Sequence, residues 1–243
     1  SFAANVIAPH AEHVHRTNGD VPEEIISGMA ELGAFGLSVP AEYGGFSEGG
    51  DSEYIAMVVA TEELSKASLG IGGSLITRPE ILTRALVKGG TEEQKQKWLP
   101  RMVSGEVITA IAMTEPGTGS DLQGMRTTAK KDGNHYVING SKTYITNGQN
   151  ADLILVCCKT DPDAQPGWKG VSIVLVEADR DGFKRGRNLD KIGLDAADTS
   201  ELFFEDVRVP ITNCLGEEGM GFVYLMTELP QERLSIAIGA HAA

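Results

Sequence analysis

The stretch Val107-Ile108-Thr109-Ala110-Ile111-Ala112-Met113 decides the architecture, because the texture of the chain changes there. A short apolar run rich in β-branched residues reads as a buried strand. Upstream of it the apolar residues keep helical spacing. Asp20-Val21-Pro22-Glu23 marks a helix start, with a capping acid, an early proline and an acid in the first turn. Ile25, Met29 and Leu32 then fall on one face. Two further helices are expected from Asp51 to Ser68 and from about Ser74 to Lys88, the second stopped by Gly89-Gly90. Thr91-Glu92-Glu93-Gln94 is a capping box for a fourth, whose end is marked by Pro100 or by Gly105. Downstream of Met113 the pattern is that of strands: His135-Tyr136-Val137-Ile138, Leu153 to Cys157, Val171 to Val176 and Leu202-Phe203-Phe204. Asp132-Gly133, Asn139-Gly140 and Asn147-Gly148 sit between them as tight-turn dipeptides. From Gly219 to Ala243 the pattern is helical again, with Pro230 as a break or first-turn residue. The order α, then β, then α predicts segregated α+β domains: residues 1–108 helical, 109–217 antiparallel β, and 218–243 the start of another helical unit.

Composition narrows the function. The chain has 243 residues, 41% hydrophobic and 23% charged, enough for a substantial core. A net charge of −13 argues against nucleic acid and anionic membrane surfaces as partners. No apolar run reaches the roughly 20 residues a membrane helix needs, so no membrane insertion is expected. Cys157, Cys158 and Cys214 lack disulfide-framework and zinc spacing and read as small apolar fillers. His10, His13 and His15 are poorly spaced for a metal, and no metal site is expected. Asn139-Gly140-Ser141 matches a glycosylation sequon by pattern only. Leu234, Ile236 and Ile238 form an apolar face without a partner downstream, from which the chain is expected to be a portion of a longer protein.

Three segments carry chemistry. Met113-Thr114-Glu115-Pro116-Gly117-Thr118-Gly119-Ser120-Asp121 follows a strand and packs two glycines, hydroxyls and acids into a short turn. Such a loop lets backbone approach a ligand and offers N–H groups to phosphate, although a plain polar hairpin loop has the same look. It is neither a dinucleotide fingerprint nor a P-loop, since no third glycine and no Gly-Lys-Ser/Thr follow. In Lys142-Thr143-Tyr144-Ile145-Thr146-Asn147-Gly148, an aromatic two residues before a hydroxyl could stack on a flat ring while Thr146 bonds its edge; an ordinary cross-strand pair is the alternative. In Glu228-Leu229-Pro230-Gln231-Glu232-Arg233-Leu234, a carboxylate beside an apolar helix would have a raised pKa and could act as a base, whereas most such pairs are solvated charges.

At these residues the sequence resembles the acyl-CoA dehydrogenase flavoprotein family. Gly33-Ala34-Phe35-Gly36-Leu37, Pro40-Ala41-Glu42-Tyr43-Gly44-Gly45 and Gly90 through Pro100 resemble its N-terminal helical domain. Thr114-Glu115-Pro116 through Ser120-Asp121 and Asn139 through Asn147 resemble its two flavin segments. Phe204-Glu205-Asp206-Val207-Arg208-Val209-Pro210 resembles the exit of its β domain. The resemblance implies an N-terminal all-α domain, a middle antiparallel β-barrel, and the first helices of a C-terminal helical domain whose remainder is missing from this chain.

It also implies a chemistry: FAD-dependent α,β-dehydrogenation of an acyl-CoA to the trans-2-enoyl-CoA. Met113, Thr114, Gly119 and Ser120 would lie along the flavin, with Ser120 also facing the CoA thioester. Tyr144, Ile145 and Thr146 would flank the ring, Tyr144 in the place of an aromatic beside it. Glu232 falls where the long-chain and isovaleryl-type branches carry their catalytic base, and Pro230, Gln231 and Arg233 would line the substrate pocket. The implied partners are an electron-transfer flavoprotein and, at full length, a homotetramer. The implied location is bacterial cytoplasm or, alternatively, mitochondrial matrix. Without the rest of the third domain the chain alone is expected to hold FAD weakly. An acyl-CoA oxidase and a non-catalytic flavin- or CoA-binding module are the alternatives.

Overall fold

A computed structural model describes residues 1–243, apart from the side chains of residues 77–79. Five α-helices precede the first strand: α1 Ala8–Thr17, α2 Glu23–Glu31, α3 Asp51–Ala67, α4 Ser74–Gly89 and α5 Glu92–Val103. The capping box of α5 forms as its sequence requires, with Thr91 Oγ1 accepting from Gln94 N–H and Gln94 Oε1 accepting from Thr91 N–H. Pro100 lies inside α5, and the chain turns at Gly105, whose φ is +73°. In α2, Ile25 and Met29 are buried, but Leu32 lies beyond the helix and is 63% exposed. Gly33, at φ +74°, turns the chain away there, so the apolar period ends one residue short. Asp20 does not cap α2; Pro22 occupies the N-cap, and Glu23 and Glu24 supply the first-turn charge.

The β unit is a seven-stranded sheet: β1 Thr109–Ala112, β2 Thr128–Asp132, β3 His135–Thr146, β4 Leu153–Lys159, β5 Val171–Glu177, β6 Phe183–Asn188 and β7 Thr199–Pro210. The expected helical-then-β order is what the chain forms. In detail the sheet is mixed, since β1–β4 and β2–β4 pair parallel while the remaining pairs are antiparallel. The β2–β3 hairpin and its leading loop form a long connection between β1 and β4, which lets β4 return alongside β1 in the same direction. Of the three turn dipeptides, Asp132-Gly133 makes the β2–β3 hairpin. Asn139-Gly140 instead lies within β3, at a register shift between Ile138 and Gly140. A Cβ on Gly140 would meet the Thr127 side chain at 2.4 Å and its Cα at 2.7 Å, and φ there is +153°, so only glycine fits this crossing.

β4 reads as an unbroken apolar run because both its faces are covered. Leu153, Leu155 and Cys157 face α4 and α5, joining Leu82, Leu86, Trp98 and Leu99. Ile154, Val156 and Cys158 face the other half of the curled sheet, joining Ile138, Leu202 and Phe204. Burial pushes the Cys157 thiol up to about 12, as befits a packing residue, while Cys214 is only half-buried. His10 pairs with Glu24 and His15 with Asp195.

The last element, α6 Gly221–Ala242, is one continuous helix that contains Pro230 rather than breaking there. Packing of α6 against α3, α4 and β5 outweighs the single lost hydrogen bond at the proline. The helix is seated closely at its start: a Cβ on Gly221 would stand 2.8 to 3.0 Å from the Ser172 and Ile173 backbone. Leu234 and Ile236 are exposed, and Ile238 is half-buried. No helix is long and apolar enough to cross a membrane among the described residues.

Candidate active site

The loop after β1 and the middle of β3 are fastened together by a buried ion pair. Lys142, 0% exposed, donates to Glu115 Oε1 and to the Met113 carbonyl, both at 2.9 Å. Glu115 also accepts from the backbone N–H groups of Arg126 at 2.6 Å and Thr127 at 3.0 Å. Burial by itself would raise the Glu115 carboxyl, but the Lys142 ammonium and these hydrogen bonds outweigh it and hold the group below its ordinary range. Thr143 N–H then bonds the Thr114 carbonyl at 2.9 Å. The two flavin-like segments of the sequence, 113–121 and 142–146, therefore lie side by side.

Between Lys142 and Ile145 the β3–β7 register shifts again, and Tyr144 sits in this bulge with φ +58° and 67% of its surface exposed. A bulky residue in the left-handed region is strained, and bulges re-aim side chains. Here the strain holds an aromatic ring outward, one residue after the Thr143–Thr114 backbone bond. Tyr144→Gly should relieve it: urea unfolding is expected to show a gain of up to about 1 kcal/mol, and flavin titration a loss of FAD affinity. Ile145 is turned the other way, 2% exposed in the sheet core, so only its backbone edge can meet a ligand. The half-buried hydroxyls of Thr114 and Thr146, and the exposed Ser120 hydroxyl, make no side-chain hydrogen bond among the described residues. In front of Gly117 and Gly119 the space is open.

An apolar cavity of about 160 Å³ adjoins β1. Ile111, two residues before Met113 and on the same face of β1, forms part of its wall, with Ile81 of α4, Leu155, Ile173 and Leu225. Glu228 and Glu232, one helical turn apart on α6, face it. Lys88 Nζ donates to Glu228 at 2.7 Å. Of the neighbouring sequence candidates, Gln231 lines a second, smaller cavity, whereas Pro230 and Arg233 are exposed and line neither.

The Lys142–Glu115 pair escaped sequence reading because its members are 27 positions apart. The available signal was the period-2 phase of β3, which places Lys142 inward with Tyr136 and Ile138.

Comparison with known proteins follows the same segments. Residues 1–106 match the family model "Acyl-CoA dehydrogenase, N-terminal domain", and residues 110–207 match "Acyl-CoA dehydrogenase, middle domain". The chain belongs to the acyl-CoA dehydrogenase family. The long-chain specific acyl-CoA dehydrogenase of Sus scrofa mitochondria is 47% identical over 236 residues, which is 97% of this chain and 53% of that protein. The acyl-CoA dehydrogenase crystal structure from Geobacillus kaustophilus superposes with a TM-score of 0.91 at 49% identity, covering 99% of this chain and 62% of that one. A glutaryl-CoA dehydrogenase from Mycobacterium smegmatis, solved in complex with FADH2, superposes at 0.85 with 31% identity, over 99% of this chain and 59% of that one. The chain thus spans about half the length of the curated relative and about three fifths of the structural ones.

Proposed function

We propose that this chain forms the flavin- and substrate-facing part of an FAD-dependent acyl-CoA dehydrogenase, with Glu232 as the catalytic base. The observation that carries the reading is the shared strand: β1 presents Ile111 to the Glu232-walled cavity and leads directly into Met113 and Thr114 of the first flavin-like segment. The residues fit the cofactor. Free hydroxyls on Thr114, Ser120 and Thr146, an outward aromatic at Tyr144 and open glycines at 117 and 119 suit a flat heterocycle with a polar edge and a phosphate tail. When bound, FAD supplies the acceptor for the β hydride.

The chain's own residues do the rest. The hydrocarbon walls of the cavity take the acyl chain and exclude water. The Glu232 carboxylate takes the α proton of the thioester, whose acidity rises as its carbonyl is polarised. Gln231 stands at the adjoining cavity as a substrate contact. An electron-transfer flavoprotein is the proposed electron acceptor and a homotetramer the proposed assembly, the latter in keeping with the exposed apolar side chains of α6. Anaerobic titration of the FAD-loaded protein with straight and branched acyl-CoAs tests the reading. Bleaching of the flavin by at least one of them is expected. Stable yellow protein that no acyl-CoA bleaches would leave a binding module instead.

A further inference from the structure

The second cavity, of about 30 Å³, shares Ile81, Glu228 and Glu232 with the apolar one and lies beside it. Its remaining walls are mixed: Glu80 and Arg84 of α4 with Gln231, Ser235 and the apolar Ile236 of α6. Arg84 is 6% exposed and is held through Nε and Nη2. It donates to Glu80 Oε1 at 2.6 Å, to Glu53 at 2.8 Å and to Ser38 at 3.2 Å, and its guanidinium lies over the Tyr54 ring at 4.6 Å. Glu80, 7% exposed, accepts from Arg84 and Ser38 through Oε1, and its Oε2 makes no hydrogen bond among the described residues. The Gln231 amide and the Ser235 hydroxyl likewise make no side-chain hydrogen bond. Three unpartnered polar groups thus converge on a space that opens beside the proposed base.

Polar groups lining a cavity take up partners there, and a cavity of this size exceeds the roughly 10–15 Å³ that one water requires. We propose that this cavity is a subsite for a hydroxyl group on the substrate's acyl chain, with Glu80 Oε2, Gln231 and Ser235 as its hydrogen-bond partners. The inference rests on the acyl-CoA reading and narrows its substrate class. A hydroxyl can both donate to Glu80 and accept from Gln231 or Ser235, whereas a methyl would leave all three desolvated. A carboxylate is disfavoured, because it would stand against the Glu80 carboxylate.

S-alkyl thioethers of coenzyme A, which lack the thioester carbonyl and are not dehydrogenated, separate binding from turnover. A series of one chain length, unsubstituted or hydroxylated at successive carbons, would be titrated calorimetrically into the FAD-loaded protein. One hydroxyl isomer is expected to bind about tenfold tighter than the parent. Gln231→Leu and Ser235→Ala, both at half-buried positions, should each cut that preference severalfold, with Glu80 left in place because it also holds Arg84. If every isomer binds within about twofold of the parent, the cavity holds only water and the inference is overturned, with acyl-CoA binding untouched. A preference that survives both substitutions overturns it as well. Failure of the parent thioether to bind would instead remove the acyl-CoA reading.

Discussion

Glu232→Gln is expected to lower the rate of flavin bleaching by acyl-CoA by about 10³-fold, within the 10²–10⁴ range typical of a lost general base. The amide is nearly isosteric, so FAD absorbance and acyl-CoA binding should persist. Stopped-flow reduction under anaerobic conditions separates the two. Glu232→Asp tests geometry: withdrawing the carboxylate by one methylene, about 1 Å, should leave an intermediate rate, because displacement of that order costs about 10²-fold. Glu228 provides the contrast. It faces the same cavity one turn earlier, where Lys88 holds its carboxylate toward α4 at 2.7 Å. Glu228→Gln should therefore lower the rate far less than Glu232→Gln. The opposite ranking would transfer the proton abstraction to Glu228.

The largest expected effect on stability comes from Lys142→Met. The pair it makes with Glu115 is buried on both sides, and removing one member leaves a desolvated charge, at a cost of about 3–5 kcal/mol. Domains of this kind are stable by only about 5–15 kcal/mol, so urea unfolding should shift strongly. The Met113 carbonyl loses its donor in the same substitution, and the loop 113–121 is expected to loosen with loss of FAD affinity. Lys142→Met with Glu115→Gln should recover part of the stability, since no buried charge remains and the Gln carbonyl can still accept from Thr127 N–H. The pair also sets a pH dependence. A carboxyl held below its unfolded value of about 4.3 contributes stability above that pH and loses it as pH falls through the lower folded value. In Lys142→Met burial is no longer offset by the ammonium, so the acid transition should move to higher pH.

What could be read in advance was local. The α5 capping box lies within four residues, and the double-sided burial of β4 shows in its unbroken apolar run. The turn dipeptides were less informative, because Asn-Gly signals only that positive φ is cheap. Asn147, at φ +63°, does leave β3 there, but Gly140 spends its freedom on a close crossing over Thr127. Pro230 misled in the same way: a helix interior tolerates it when tertiary packing carries the element. The candidate site was legible as segments and not as partners. Tyr144 and Thr114 were singled out, yet the Lys142–Glu115 pair that joins their segments spans the whole β2–β3 hairpin. The polar cavity of Glu80, Gln231 and Ser235 depends on how α4 packs on α6, which no periodicity states.

The tight seat of Gly221 makes α6 a lever. Glu232 lies eleven residues beyond that pivot, about 16 Å along the axis at 1.5 Å per residue. A tilt of only about 4° at the pivot would swing the carboxylate by ~1 Å, the displacement at which alignment begins to govern rate. A methyl group at position 221, remote from the reacting atoms, would press on the Ser172 backbone and throw the far end of the rod off target. The aim of the proposed base is thus set at a fulcrum on β5.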